Sequence, residues 1–315
     1  MSFDTLLGNH RLKQNLTESL AKKHISHFYL ISGPKGSGKK SLAGLLAQAI
    51  LCQGRDKPCG SCESCRKMQN ANHPDVITVE DPEHKNVAVK IVRAIREDVF
   101  IRPNESDYKI YLFPQDLGTE GQNALLKILE EPPGYGVFIL LTDNPEKILP
   151  TVRSRCTELK MQALPRDLLT ARLSARFPEA SAQDIAAAAD RSGGFLGQAL
   201  ELMESGGAVP PQTEQFVAAL CRRDVLVLTE TLVPMEKWKR EALGEILHSW
   251  MALTEEALAN RSGIAAVSPL ARNLNRSRTA AELFEINRCL RKAADYTLSN
   301  VSPAAVCGWL VWTLR

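Results

Sequence analysis

Short apolar runs alternate with stretches of helical period over the first half of the chain, and after about residue 163 only the helical period remains. Residues 9–23 place Leu12, Leu16 and Leu20 at i, i+4 spacing, which predicts an amphipathic helix. Residues 28–31 read as a strand, followed by a glycine-rich loop and a helix at about 39–51. A strand is predicted at 75–79, a helix at 87–99, and a second clear strand at 109–113. A helix over 122–130 stops at Pro132-Pro133-Gly134, and a third clear strand covers 137–141, ending at Asp143-Asn144-Pro145. Strands alternating with helices predict an α/β domain with a parallel sheet covered on both faces. Beyond it, 167–177, 181–189 and 197–204 predict three short helices, the last after Gly193-Gly194. The stretch Ser205-Gly-Gly-Ala-Val-Pro-Pro211 reads as a linker. Helices are then expected at about 213–223, 225–233, 236–261, 278–297 and 303–315. Ser302 is placed to cap the last of these, with Pro303 at its first position. The expected organisation is therefore an α/β domain over 1–163, a small three-helix domain over 164–206, and an all-helical domain over 207–315.

A chain of 315 residues can carry two or three domains, each with its own core. Its 44% hydrophobic and 24% charged content fits an ordinary soluble protein. The longest strand-like apolar run, 137–141, falls far short of the ~18 residues of a membrane span. Met1-Ser-Phe-Asp-Thr has neither the basic flank nor the apolar segment of a secretory signal, so a cytoplasmic location is expected. A net charge of +3 is too small to argue for nucleic-acid binding. Arg272, Arg276, Arg278, Arg288, Arg291 and Lys292 form a loose basic cluster that reads as a solvated or partner-facing surface.

The cysteines add chemistry. Four of the eight form Cys52-x6-Cys59-x2-Cys62-x2-Cys65. With no export signal, this spacing points to a tetrahedral four-thiolate structural zinc site, with Pro58, Gly60 and Ser61 supplying the turns. A cluster of free thiols is the competing reading. A zinc-dependent hydrolase is disfavoured, since no histidine or open coordination position accompanies the cysteines. Cys156, Cys221, Cys289 and Cys307 sit singly and read as small buried residues.

The run Tyr29-Leu-Ile-Ser-Gly33-Pro-Lys-Gly-Ser-Gly38-Lys39-Lys40-Ser41 joins a strand to a helix through a glycine-rich loop. In such a layout backbone N–H groups cradle phosphates and a lysine reaches the β- and γ-phosphates. The candidate nucleotide-binding residues are Gly33, Pro34, Lys35, Gly36, Ser37, Gly38 and Lys39. Hydrolysis also needs a hydroxyl after the lysine, and an acidic residue ending a second strand, to hold Mg²⁺. Lys40 occupies the first position. Pro114-Gln115 follows the strand at 109–113, with only Asp116 beyond. The expectation is a degenerate phosphate loop that can hold ATP or ADP without cleaving it. The alternative is a working ATPase in which Ser41 and Asp116 serve as metal ligands in a shifted register.

Phe28-Tyr-Leu-Ile-Ser-Gly33-Pro-x-Gly-x-Gly-Lys39, the four-cysteine module, Asn123-Ala-Leu-Leu-Lys-Ile-Leu-Glu-Glu-Pro-Pro133 and Arg153-Ser-Arg155-Cys156 occur in this order. With them the chain resembles the clamp-loader subunits of bacterial DNA polymerase III, members of the AAA+ class. The resemblance covers residues 1 to about 205, and the C-terminal part fits the family's collar domain more loosely. It implies an AAA+ domain with a zinc module at 52–65, a helical lid and an oligomerising collar. It further implies a pentamer-like hetero-oligomer with gamma/tau and delta subunits, acting on a sliding clamp and primed DNA. Two kinds of subunit share the motifs, one that hydrolyses ATP and one that usually does not. Three departures resemble the non-hydrolysing kind: Lys40, Pro114-Gln115, and Gly197 where a sensor arginine is expected in Gly194-Phe-Leu-Gly197-Gln-Ala-Leu. The sequence also ends at Arg315 without a long tau-like tail. Alone, Arg155 reads as a solvated arginine. Within Ser154-Arg155-Cys156 the resemblance implies an arginine finger for a neighbouring subunit's ATP. It also places Thr142 at the sensor-one position and Gly8-Asn9 beside the adenine pocket. Ala124, Leu125, Ile128 and Leu129 read as core, with Lys127 outside it.

Overall fold

Five parallel strands build one sheet: β1 (Phe28–Ser32), β2 (Val76–Thr78), β3 (Lys109–Phe113), β4 (Gly136–Thr142) and β5 (Thr157–Lys160), in the order β2-β3-β4-β1-β5. The computed structural model describes residues 3–84, 86–204, 210–262, 268–299 and 301–315. The chain divides into two compact units, 1–205 and 206–315, and the sheet belongs to the first. Alternate residues of a strand face opposite sides, so a strand that is apolar throughout serves two cores. Phe28, Leu30, Phe138 and Leu140 pack on one face with Tyr111 and Phe113, whereas Tyr29, Ile31, Val137, Ile139 and Leu141 pack on the other. Helices α1 (His10–Ala21) and α2 (Lys39–Leu51) cover the second face through Leu16, Leu20, Leu42 and Leu46. A short helix, α3 (Glu63–Gln69), follows within the cysteine module. The first face is covered by α4 (Val89–Asp98), α5 (Thr119–Glu130) and α6 (Pro150–Arg153), through Val92, Ile95, Leu125, Ile128 and Val152.

Most elements fall where the apolar pattern places them, and the exceptions have local causes. Strand β5 has no apolar run, because it lies at the sheet edge with only Leu159 of its four residues buried. The strand expected at 75–79 shortens to β2, since the Asp75 carboxylate instead accepts from the backbone N–H groups of Asn104, Glu105 and Ser106. Helix α4 starts after the expected position because Val87 bridges to Leu117. Three further helices, α7 (Arg166–Arg176), α8 (Ala182–Arg191) and α9 (Leu196–Glu204), pack around Leu169, Leu173, Ile185 and Ala199. The Ser181 hydroxyl caps α8 by accepting from Asp184 N at 3.1 Å.

The second unit is helical: α10 (Pro211–Arg222), α11 (Val225–Leu232), α12 (Arg240–Arg261), α13 (Pro269–Ser277), α14 (Ala280–Leu298) and α15 (Pro303–Leu314). Its core centres on Trp250, stacked 3.8 Å from Phe216 and donating its indole N–H to Thr213 Oγ1 at 2.8 Å. Sequence periodicity misses α13, and the helix expected at 236–261 begins only at Arg240 because Val233–Lys237 form a tighter 3₁₀ turn. The Ser302 hydroxyl caps α15 as expected, accepting from Ala305 N at 3.3 Å. Most of the linker expected at 205–211 lies outside the described residues. Among the described residues no helix is long and apolar enough to cross a membrane.

Candidate functional site

The glycine-rich loop leaves β1 and enters α2. Gly36 and Gly38 have φ of 77° and 91°, a region open to glycine and strained for side-chain-bearing residues. The Lys39 ammonium turns back into the loop. It donates to Gly33 O at 2.6 Å and Pro34 O at 2.9 Å, and pairs with Asp143 Oδ1 at 2.6 Å. Asp143 was not picked out from sequence. It reaches the loop because β4 pairs with β1 in a register that sets Thr142 beside Ser32. Thr142 is buried, and its hydroxyl donates to Asn144 O and accepts from Asn144 N, so it is committed to the local turn. Ser37 Oγ is buried without a hydrogen-bond partner.

The loop borders a cavity of about 660 Å³, within the range of ligand pockets. Leu6, Leu7, Leu164, Leu196 and Leu200 supply apolar wall, and Lys40, Ser41 and Arg172 also line it. The Asn9 side chain is internally satisfied, donating to Leu7 O and accepting from Gln162 N, and so fixes the wall. Helix α9 closes directly on the loop. Gly197 N donates to Gly36 O at 2.9 Å, Gln198 Nε2 donates to Lys35 O at 2.9 Å, and Lys35 pairs with Glu201 at 3.2 Å. A Cβ on Gly197 would lie 2.6 Å from Gly36 Cα. Backbone therefore fills the position where the resemblance places a sensor arginine.

Of the residues after β3, Pro114 lines the cavity and Gln115 turns away. Gln115 Oε1 accepts from Asp81 N at 2.8 Å, while its amide nitrogen donates to Asp81 O and His84 O. Asp116 lies 4.0 Å from Lys147 and does not line the cavity. No carboxylate from this segment faces the phosphate loop.

Ser154-Arg155-Cys156 follows α6. Burial pushes the Cys156 thiol up to about 12, and its S–H donates to Val152 O at 3.1 Å, anchoring the turn. Arg153 is held by Glu146 and Glu158, both at 3.2 Å. Arg155 points outward with its side chain 39% exposed; it donates to Thr151 O at 2.9 Å and lies 3.4 Å from Glu130. It does not line the phosphate-loop cavity of its own chain.

The sulfurs of Cys52, Cys59, Cys62 and Cys65 all lie within 4.8 Å of one another, with Cys59–Cys65 at 3.9 Å and Cys52–Cys62 at 4.0 Å. Backbone N–H groups of Gly54 and Cys59 donate to Cys52 Sγ, and those of Cys62 and Cys65 to Cys59 Sγ and Cys62 Sγ. Ser61 and Cys62 push the Cys59 thiol down to about 5, whereas burial pushes Cys65 up to about 12. Four sulfurs this close form a donor set for one metal ion. His73 joins the module to the sheet edge: Nε2 meets Ser64 Oγ at 3.1 Å on α3, and Nδ1 accepts from Asp75 N beside β2. Neither His73 nor Asp75 carries a recognisable motif.

A family model described as DNA polymerase III, delta subunit, matches residues 8–165, about half of the chain. DNA polymerase III subunit tau of Bacillus subtilis (strain 168) is 34% identical over 213 residues, covering 64% of this chain and 37% of the relative. Subunit gamma/tau of Mycobacterium tuberculosis (strain ATCC 25618 / H37Rv) is 38% identical over 180 residues, covering 55% and 31%. Subunit delta' of Bacillus subtilis (strain 168) is 35% identical over 157 residues, covering 49% and 47%. The chain thus spans roughly a third to a half of the length of these relatives. The family match runs through the glycine-rich loop, the cysteine cluster, the whole sheet and Arg155. This chain belongs to the bacterial DNA polymerase III clamp-loader family.

Proposed function

We propose that the chain is a delta prime-type clamp-loader subunit that does not hydrolyse ATP. The observation that carries this is the fate of the two metal-holding positions. Lys40 brings an ammonium where a hydroxyl is needed, and Gln115 is turned away and bonded to Asp81 and His84. Mg²⁺ would lack both of its usual protein ligands. The rival ATPase reading needs Asp116 in the cavity, but Asp116 lies beside Lys147. In this proposal residues 1–163 form the AAA+ domain, 164–206 the lid and 207–315 the collar. The partners are gamma/tau and delta subunits in a pentamer-like assembly that places a sliding clamp on primed DNA.

Arg155 is the proposed arginine finger. Its outward, half-exposed position away from its own cavity supports a role in a neighbour's site. The cysteines are the proposed structural zinc ligands. A tetrahedron with Zn–S bonds of about 2.3 Å has sulfur–sulfur edges of about 3.8 Å, near the 3.9 and 4.0 Å found. Reconstitution with gamma/tau and delta tests the whole reading. Arg155→Ala is expected to leave assembly intact and to lower DNA-stimulated ATP hydrolysis, because a finger contributes about 10³–10⁵ at its own site. The bulk loss is smaller, since the other sites keep their fingers. ATP turnover by the isolated chain, or undiminished hydrolysis by the mutant complex, would refute it.

A further inference from the structure

Resting on the non-hydrolysing reading of the phosphate loop, we propose that Arg172 determines what this cavity binds: a nucleoside polyphosphate held without a divalent cation.

The cations around the cavity fall into two classes. Lys39 is neutralised by Asp143 at 2.6 Å and Lys35 by Glu201 at 3.2 Å. Lys40 and Arg172 also line the cavity, and among the described residues neither has an ion pair or hydrogen bond. Lys40 stands at the start of α2. Arg172 comes from α7, an element of the three-helix cluster, so the two bring uncompensated positive charge from different elements of the wall. Such a site attracts a polyanion and repels a divalent cation. A magnesium-bound nucleotide arrives with part of its charge cancelled, and the one carboxylate that lines the cavity among the described residues, Asp143, is already paired with Lys39. A metal-free polyphosphate keeps its charge for Lys40 and Arg172.

The geometry of each group suits this ligand. The planar guanidinium of Arg172 can hold two phosphate oxygens at once, which an ammonium cannot. The Ser37 hydroxyl, buried in the loop and unpartnered, is a ready donor to a third oxygen. Beside these polar groups, Leu6, Leu7, Leu196 and Leu200 provide apolar wall that suits a base and ribose. That apolar wall favours a nucleotide over inorganic polyphosphate.

The full chain is titrated calorimetrically with ADP, ATP and inorganic tripolyphosphate, with magnesium omitted or added. Binding of ADP and ATP is expected without magnesium and no tighter with it. Arg172→Ala should weaken it about ten- to a hundred-fold, the range carried by hydrogen bonds to charged groups. Arg172→Lys should recover part of the loss, and tripolyphosphate should bind more weakly than ATP. Because Arg172 is exposed, its variants should melt like the parent. The proposal is overturned if the parent binds no nucleotide, if magnesium strengthens binding, or if Arg172→Ala titrates like the parent. Tripolyphosphate binding as tightly as ATP would overturn the nucleoside assignment. ATP turnover by the isolated chain would instead refute the non-hydrolysing reading, and leaves the Arg172 affinity comparison readable.

Discussion

Gly197→Ala adds one methyl group where α9 meets the glycine-rich loop. Its Cβ would lie 2.6 Å from Gly36 Cα, 2.7 Å from Gly36 O and 3.0 Å from Gly36 C. Non-bonded carbons prefer about 3.5–4.0 Å, so α9 and the loop must separate by about 1 Å. Every obstructing atom belongs to backbone, and no side chain can swing aside. Separation stretches the Gly197 N–Gly36 O and Gln198–Lys35 O hydrogen bonds, each contributing about 0.5–1.5 kcal/mol. Retaining the contact instead incurs overpacking of about 1–3 kcal/mol. Alanine's better helix propensity returns up to about 1 kcal/mol, and the exposed Lys35–Glu201 pair adds little. The net cost is about 1–3 kcal/mol, and it falls on the contact between α9 and the loop. Hydrogen exchange should therefore accelerate about five- to a hundred-fold at amides near Gly36 and Gly197, while β1, β3 and β4 keep parental rates. Unchanged exchange at both segments would refute the close packing of α9 on the loop.

Three further perturbations probe separate parts of the first unit. Gln115→Glu keeps an acceptor for Asp81 N but cannot donate to Asp81 O or His84 O; denaturant unfolding should show a loss of about 1–3 kcal/mol, and an unchanged midpoint would contradict the assigned hydrogen bonds. Burial opposes ionisation of Asp75, but the N–H groups of Asn104, Glu105 and Ser106 outweigh it and hold the carboxyl below its usual range. Its stabilisation is then present above the ordinary carboxylate pKa and lost as pH falls through the depressed one. Asp75→Asn should cost about 1.5–3 kcal/mol at neutral pH and flatten the acid limb of the stability profile; an acid limb identical to the parent's would be the contrary result. Cys62→Ser removes one of four thiolates, so colorimetric zinc should fall from about one per chain and stability should drop with it; unchanged metal content would exclude Cys62 as a ligand.

The sheet was legible because β1, β3 and β4 lie inside it and need apolar residues on both faces. Strand β5, at the edge, buries only Leu159 and leaves no such signature. The phosphate loop and the cysteine cluster were legible for another reason: each is a local motif whose spacing is set by a turn. What sequence did not yield are contacts between distant segments. Asp143 meets Lys39 only through the β1–β4 register, and Gly197 meets Gly36 only through the placement of α9. Arg172 lies on a polar helix face and resembles any solvated arginine until α7 is set against the cavity. His73 and Asp75 likewise acquire meaning once Ser64 and the 104–106 segment come together around them.

The three departures at the phosphate site are not equivalent to blanks. Gln115 uses both ends of its amide to bind the 81–84 segment, and a carboxylate there could keep only the accepting half. Gly197 admits the α9 backbone against Gly36, and an arginine there would require α9 to withdraw. Lys40 stands at the cavity without an ion-pair partner among the described residues, and a hydroxyl there would remove one of its two unpaired cations. Restoring any one ATPase residue therefore disturbs a contact or a charge balance without completing a metal site, because Mg²⁺ needs the hydroxyl and the carboxylate together. Each position has taken up a role compatible with a closed loop, and the roles reinforce one another: α9 rests on a loop whose lysine is already neutralised by Asp143. In the proposed clamp loader such a subunit keeps the shape of an ATPase and a rigid mount for Arg155, while the chemistry of hydrolysis belongs to its neighbour.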